Sequence, residues 1–286
     1  MVVSNPREIP EYELNPLELQ FRKSDESGKN VALNGDLGSY LQKKGRLSPS
    51  KALRLALDIA RHNFPSCISS GVLHVNFLVF RGMNYLHECK PEPIIHCDLK
   101  PKNILLDSGG QLKVSGFGLI KLSKISPDKA KLPQPGSHVD PSSLYVAPEV
   151  YKDEIFDRSV DAFSFGLILY EMIEGVPAFH PKAPEDVAKM ICLERKRPPF
   201  KIKSKSYPPD LKELVEECWD PEPVVRPIFS EIIVRLDKIV ANGSKNGWWK
   251  DTFKFPWYAS LTIYLLKPCV LIVDIEESMS IPRSLV

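Results

Sequence analysis

A mainly α-helical fold with a few short strands is what this sequence predicts, and three observations predict it. Residues 160–175 form a strongly apolar stretch of helical length. A helix start stands at Ser48-Pro49-Ser50, after which Ala52, Leu55, Ala56, Ile59 and Ala60 fall on one face. Strand-like runs are short: Ile94-Ile95 and Ile104-Leu105-Leu106 flank a polar loop at 96–103 and read as buried strands that hold it.

The elements follow in order along the chain. The N-terminus carries Pro6, Glu8, Pro10, Glu11 and Glu13 and lacks the basic and apolar regions of a secretory signal. By Gly35-Asp36-Leu37-Gly38-Ser39-Tyr40-Leu41 the chain reads as a first helix, and the stretch after Ser48 as a second. Residues 62–81 then break the pattern with Pro65, Gly71 and the β-branched Ile68, Val72, Val75 and Val79. Even an unbroken helix through those 20 residues would leave its two flanking apolar faces out of phase by about 200°. Gly82 is therefore expected to restart a helix after a bulge or break. Residues 121–144 are rich in Lys, Ser and Pro, and 187–193, 211–218 and 230–240 read as further helices. The apolar stretch 258–273 is interrupted by Lys267-Pro268 and falls short of the roughly 18 to 20 residues that span a bilayer. Peripheral packing is expected there, and no transmembrane span.

The formal net charge of +2 over 286 residues, without a basic block, points away from nucleic acid as a partner. Six cysteines lie far apart with no CxxC or His-Cys metal spacing, so buried thiols and a reducing, cytoplasmic setting are expected.

The chemistry is carried by His96-Cys97-Asp98-Leu99-Lys100-Pro101-Lys102-Asn103, followed by Ser115-Gly116-Phe117-Gly118. Alone, Asp98 would read as a cap or an Asx turn. Four later landmarks change the odds: Ala147-Pro148-Glu149, Asp161-Ala162-Phe163-Ser164-Phe165-Gly166, Cys218-Trp219-Asp220 and Arg226-Pro227. In this order they resemble a serine/threonine protein kinase, with the metal-binding aspartate replaced by Gly116. The closer resemblance is to plant integrin-linked-kinase-like proteins, a Raf-like group, and is carried by residues 9–21, 34–61 and 82–257.

The resemblance implies a kinase-like large lobe, α-helical with a few short strands, at 34–257 with an insertion at 62–81. Residues 1–33 would be an N-terminal remnant or linker and 258–286 a divergent tail. The small-lobe β-sheet is expected to be largely absent, since no GxGxxG and no Val-Ala-x-Lys strand precedes Asn34, and Lys23 and Lys29 read as solvated loop charges. Altered splicing or an imperfect gene model would account for that organisation. By the same resemblance Asp98 orients the acceptor hydroxyl and takes its proton, Lys100 sits against the transferring phosphate, and Asn103 holds a metal ion; the cofactors are ATP and magnesium. His96 is structural, Asp161 anchors the loop backbone from inside a buried helix, and Glu149 pairs with Arg226. Cys97 stands where many kinases have an arginine that binds an activating phosphate, so phosphorylation at Ser137, Ser142 or Ser143 would order the segment weakly.

Three functions are compatible with these residues. The first is ATP-dependent phosphate transfer to protein hydroxyls, impaired by Gly116. A second is a pseudokinase that uses its large lobe to dock signalling partners. The third, a small-molecule phosphotransferase, shares His-x-Asp and the spaced Asn but is opposed by Ala147-Pro148-Glu149 and the 161–166 motif.

Overall fold

The computed structural model describes residues 33–61, 82–89, 92–107, 109–118, 120, 122–133, 143–201 and 207–245. The expectations for 1–32, for the 62–81 insertion and for the chain beyond 245 lie outside the described residues. Eight helices dominate the described residues: α1 (Leu37–Lys44), α2 (Pro49–Ala60), α3 (Met83–His87), α4 (Pro148–Tyr151), α5 (Ser159–Glu174), α6 (Pro184–Cys192), α7 (Pro209–Cys218) and α8 (Phe229–Lys245). Five short strands form two small antiparallel sheets. One has the order β1 (Leu33–Asp36), β2 (Ile104–Asp107), β3 (Leu112–Val114); the other pairs β4 (Ser123–Ser126) with β5 (Lys129–Lys131). The fold is mainly α, and among the described residues no sheet exceeds three strands.

Local chemistry explains where the first helices start. The Asp36 carboxylate accepts the Ser39 backbone N–H at 2.9 Å and so caps α1. Ser48 Oγ accepts from Lys51 N–H at 3.4 Å, and Pro49 occupies the first turn of α2, where its missing N–H costs nothing. After residue 81 a helix does restart, with Gly82 in extended conformation immediately before α3.

The core is built around α5, in which every residue from 160 to 174 is buried. Helices α2 and α7 pack against it, and α8 lies against α2, α3 and α7. Gly166 sets the closest approach: a Cβ there would come within 2.8 Å of Cys218 Cβ and 3.3 Å of the Val215 carbonyl oxygen. Phe163, Phe165, Tyr170 and Phe229 are among the largest fully buried side chains, each contributing roughly 1.5 to 3 kcal/mol by leaving water.

Strand β2 alternates buried and half-buried residues, with Ile104 opposite Val114 and Leu106 opposite Leu112. The expected second strand at Ile94-Ile95 does not form. Ile94 N–H instead donates to the Leu86 carbonyl at 2.8 Å, folding the chain back against α3, and both isoleucines are only half-buried. Within 121–144 the strands β4 and β5 form a hairpin docked by reciprocal backbone hydrogen bonds between Ala130 and Phe156, 2.8 and 2.9 Å. No helix among the described residues is long and apolar enough to cross a membrane.

Candidate functional site

The site hangs from the first turn of α5. Asp161, fully buried, uses both carboxylate oxygens. One accepts Cys97 N–H at 2.9 Å; the other accepts His96 N–H at 2.9 Å and His87 Nε2–H at 2.8 Å. Without such a partner those two backbone amides would be orphaned in the interior, at about 1 to 3 kcal/mol each. The tether lets Cys97 hold a positive φ of 61°.

His96 locks the next layer. Its Nδ1 accepts Asp98 N–H at 3.3 Å and its Nε2 lies 2.9 Å from the Ser115 carbonyl oxygen. These partners put the ring proton on Nε2. His96 thus ties the 96–98 segment to the 115–118 turn.

The three residues to which the sequence assigns chemistry come together. Lys100 Nζ lies 2.8 Å from Asp98 Oδ2, and Asn103 Nδ2 donates to that same oxygen at 2.9 Å and to the Asp98 carbonyl at 2.8 Å. A 3-10 turn at Pro101–Asn103 closes the loop and delivers Asn103 to the head of β2. The side chains of Asp98 and Lys100 keep 19% and 25% of their surface exposed, so the pair is open to a second reactant.

Gly116 faces this cluster from the neighbouring turn. Ser115 N–H and Oγ–H both donate to the Asn103 carbonyl, at 2.8 and 2.9 Å. A Cβ on Gly116 would lie 3.3 to 3.5 Å from the Asn103 side-chain amide, and φ here is +82°. Position 116 therefore looks directly at Asn103 and contributes no side-chain oxygen. Magnesium keeps octahedral oxygen coordination and usually draws one or two carboxylates from protein. Here the Asp98 carboxylate is engaged by Lys100, and no group of three or more His, Cys, Asp or Glu converges among the described residues. The residues present do not fit a paired magnesium site.

The protein kinase domain family matches residues 33–235. The chain belongs to the protein kinase family. It is 56% identical to integrin-linked protein kinase 1 of Arabidopsis thaliana over 90% of its length. Against serine/threonine-protein kinase 12 and serine/threonine-protein kinase VIK of the same plant it is 36% identical over 87% and 44% identical over 72% of its length. It spans 63%, 62% and 41% of those three relatives. The resemblance to plant integrin-linked-kinase-like proteins agrees with these similarities.

Elsewhere among the described residues, Glu149 and Arg226 meet in a two-pronged ion pair of 2.5 and 3.0 Å. The Arg226 guanidinium is fully buried, also donates to the Asp220 carbonyl at 2.8 Å, and stacks 4.8 Å from the Phe163 ring centre. Cys97 is buried, and that burial, followed by the charges of Asp161, Asp98 and Glu149, pushes its thiol far above the usual range. A thiol held protonated is a poor nucleophile, which supports the reading of Cys97 as an inert variant.

Sequence reasoning missed two supports of the candidate site. Asp58, on the buried side of α2, accepts Leu112 N–H at 3.2 Å and so braces β3; a carboxylate within the apolar Ala52–Ala60 face was its only signal. Tyr145 donates its hydroxyl to Glu171 of α5, while Ser164 Oγ–H donates to the Tyr145 carbonyl at 2.8 Å. Burial raises the Glu171 carboxyl against the opposing pull of the tyrosine hydrogen bond. Together these bonds pin the segment that precedes Ala147-Pro148-Glu149 onto α5.

Proposed function

We propose that this chain is a serine/threonine protein kinase of the integrin-linked-kinase-like group, directed at protein hydroxyls with ATP as donor, whose phosphate transfer is impaired by Gly116. The observation that carries the reading is the convergence of Lys100 Nζ and Asn103 Nδ2 on one oxygen of Asp98, at 2.8 and 2.9 Å, in a loop suspended from buried Asp161. Asp98 is the group that orients an acceptor hydroxyl and receives its proton. Lys100, already beside that carboxylate, swings its ammonium to the transferring phosphate, and Asn103 turns its side-chain oxygen toward position 116. His96, Asp161, Glu149 and Arg226 act as structure. Phosphoryl transfer rests almost wholly on positioning and charge neutralisation, so the missing carboxylate at 116 removes much of the second while leaving the first.

The domain reading that accompanies this function keeps 34–257 as the large lobe with its 62–81 insertion, 1–33 as a linker and 258–286 as a divergent tail. Its partners are protein substrates or signalling proteins, and its setting is the cytoplasm. A second reading, a pseudokinase that docks partners without catalysis, is favoured by Gly116 itself.

Thermal shift with ATP, with and without magnesium, followed by phosphate transfer to a generic protein substrate, separates the two. Slow transfer that disappears in Asp98→Asn is the expected result. Absence of both nucleotide stabilisation and transfer leaves the docking reading alone standing.

A further inference from the structure

The β4–β5 hairpin buries little of itself. Every residue of β4 is exposed or half-buried, and between 123 and 132 only Ala130 and Leu132 are buried. So small an apolar area gives the hairpin a weak grip on the lobe. Beyond the two backbone bonds between Ala130 and Phe156, what holds it is charge. The hairpin carries Lys124, Lys129 and Lys131, and each meets a carboxylate outside it. Lys124 Nζ pairs with Glu92, Lys129 Nζ lies 2.6 Å from Asp157 Oδ2, and Lys131 Nζ lies 3.5 Å from Asp153 Oδ2.

The two oxygens of Asp157 have separate tasks. Oδ1 accepts Ser159 N–H at 2.8 Å at the start of α5, while Oδ2 takes Lys129. Burial pushes the Asp157 carboxyl up, and the hydrogen bonds from Lys129 and Ser159 outweigh it, so the group stays below its ordinary value. Lys129 and Asp157 keep 43% and 25% of their side-chain surface exposed. A pair that open to water biases an equilibrium by about fivefold or less. That is too little to decide whether the domain folds, and enough to decide how often a lightly buried hairpin lifts away.

We propose that the β4–β5 hairpin is an ionic latch, held closed on the lobe by Lys129 on Asp157 with Lys124 on Glu92 and Lys131 on Asp153 beside it, and opened by loss of lysine charge while α5 stays in place. The division of labour at Asp157 makes this possible. Freeing Oδ2 releases the hairpin, and Oδ1 goes on holding the first turn of the helix that carries Asp161. The stretch that follows the 115–118 turn is thus kept against the lobe by lysines already present, with no phosphate needed to order it. The device does not depend on whether the Asp98 cluster transfers phosphate.

The test is native-state hydrogen exchange of the full chain, read at the Ala130 and Phe156 amides, whose mutual bonds break when the hairpin lifts. Lys129→Gln removes the charge from one end of the pair. Asp157→Asn removes it from the other and leaves a side-chain oxygen to accept Ser159 N–H. Each variant is expected to speed exchange at both amides by about threefold to fivefold. The two together should do no more than either alone, because they break the same pair. Raising salt to about 0.5 M should speed exchange in the parent and close its gap to the variants. Exchange within α5 and the melting temperature should stay at the parent's values in Lys129→Gln. Unchanged exchange in the single variants, additive effects in the double variant, or a gap that salt leaves untouched overturns the proposal. Faster exchange within α5 or a marked fall in melting temperature in Lys129→Gln makes the pair part of the global fold, and overturns it as well.

Discussion

Asp161 and Asp98 are both carboxylates of one loop assembly, and their surroundings differ in kind. Asp161 lies in the dry interior with three N–H donors on its two oxygens, all of them from residues fixed by the fold. Asp98 sits at the surface, and one of its oxygens is held by a flexible lysine and an amide. The first arrangement is complete as it stands; the second is provisional, since Lys100 and Asn103 would have to let go of Asp98 to work on anything else. Foundation and chemistry are therefore separable here. A change at position 116 can remove charge from the working end without loosening the loop that presents it.

The sharpest way to break that separation is to attack the foundation. Arg226→Ala strands the Glu149 carboxylate in the interior, and an equilibrium urea melt should show a loss of about 3 to 5 kcal/mol. Asp98→Asn should by contrast leave the same melt nearly unmoved. A comparable loss from both would mean that the loop is as structural as the helix beneath it.

Alkaline pH provides a second, smaller probe of the same interior. Burial raises the thiols of Cys97, Cys192 and Cys218, that of Cys192 to about 12. In the unfolded chain a thiol loses its proton near its ordinary value of 9.0, whereas the folded chain keeps it. Above that pH the unfolded state binds fewer protons, so stability is full below about pH 9 and falls as pH rises, by about 1.4 kcal/mol per pH unit for each thiol. Urea melts of Cys218→Ala between pH 8 and 10 should show a shallower decline than the parent, beneath whatever offset the substitution itself imposes.

The smallest effect on stability belongs to the working end and sharpens the comparison most. Gly116→Asp puts a carboxylate beside Asn103 at a backbone angle that aspartate tolerates better than most residues, at a cost of about 1 kcal/mol. The variant should gain a magnesium-dependent rise in melting temperature in the presence of ATP that exceeds any in the parent, with phosphate transfer increased alongside. No gain in either would place the defect somewhere other than position 116.

Much of this was legible in the residues. Ser48-Pro49 announced α2 because a side-chain cap and a proline without a donor are local facts, and the pairing of Glu149 with Arg226 was implied by the resemblance to protein kinases. Ile94-Ile95 misled because two apolar residues carry no periodicity, and a turn back onto Leu86 satisfies the backbone as well as a strand would. Asp58 and the Tyr145–Glu171 bond were illegible for another reason. Their partners lie 54 and 26 residues away, and only the packing of α2 and α5 brings them within reach.

The suspension of His96 and Cys97 from α5 has a temporal consequence. Their amides are released only when the helix carrying Asp161 gives way, so the lifetime of the loop is that of the domain. Side chains above can be traded, modified or lost while the platform keeps its shape, and a surface assembled on such a platform endures longer than the reaction for which its residues are suited.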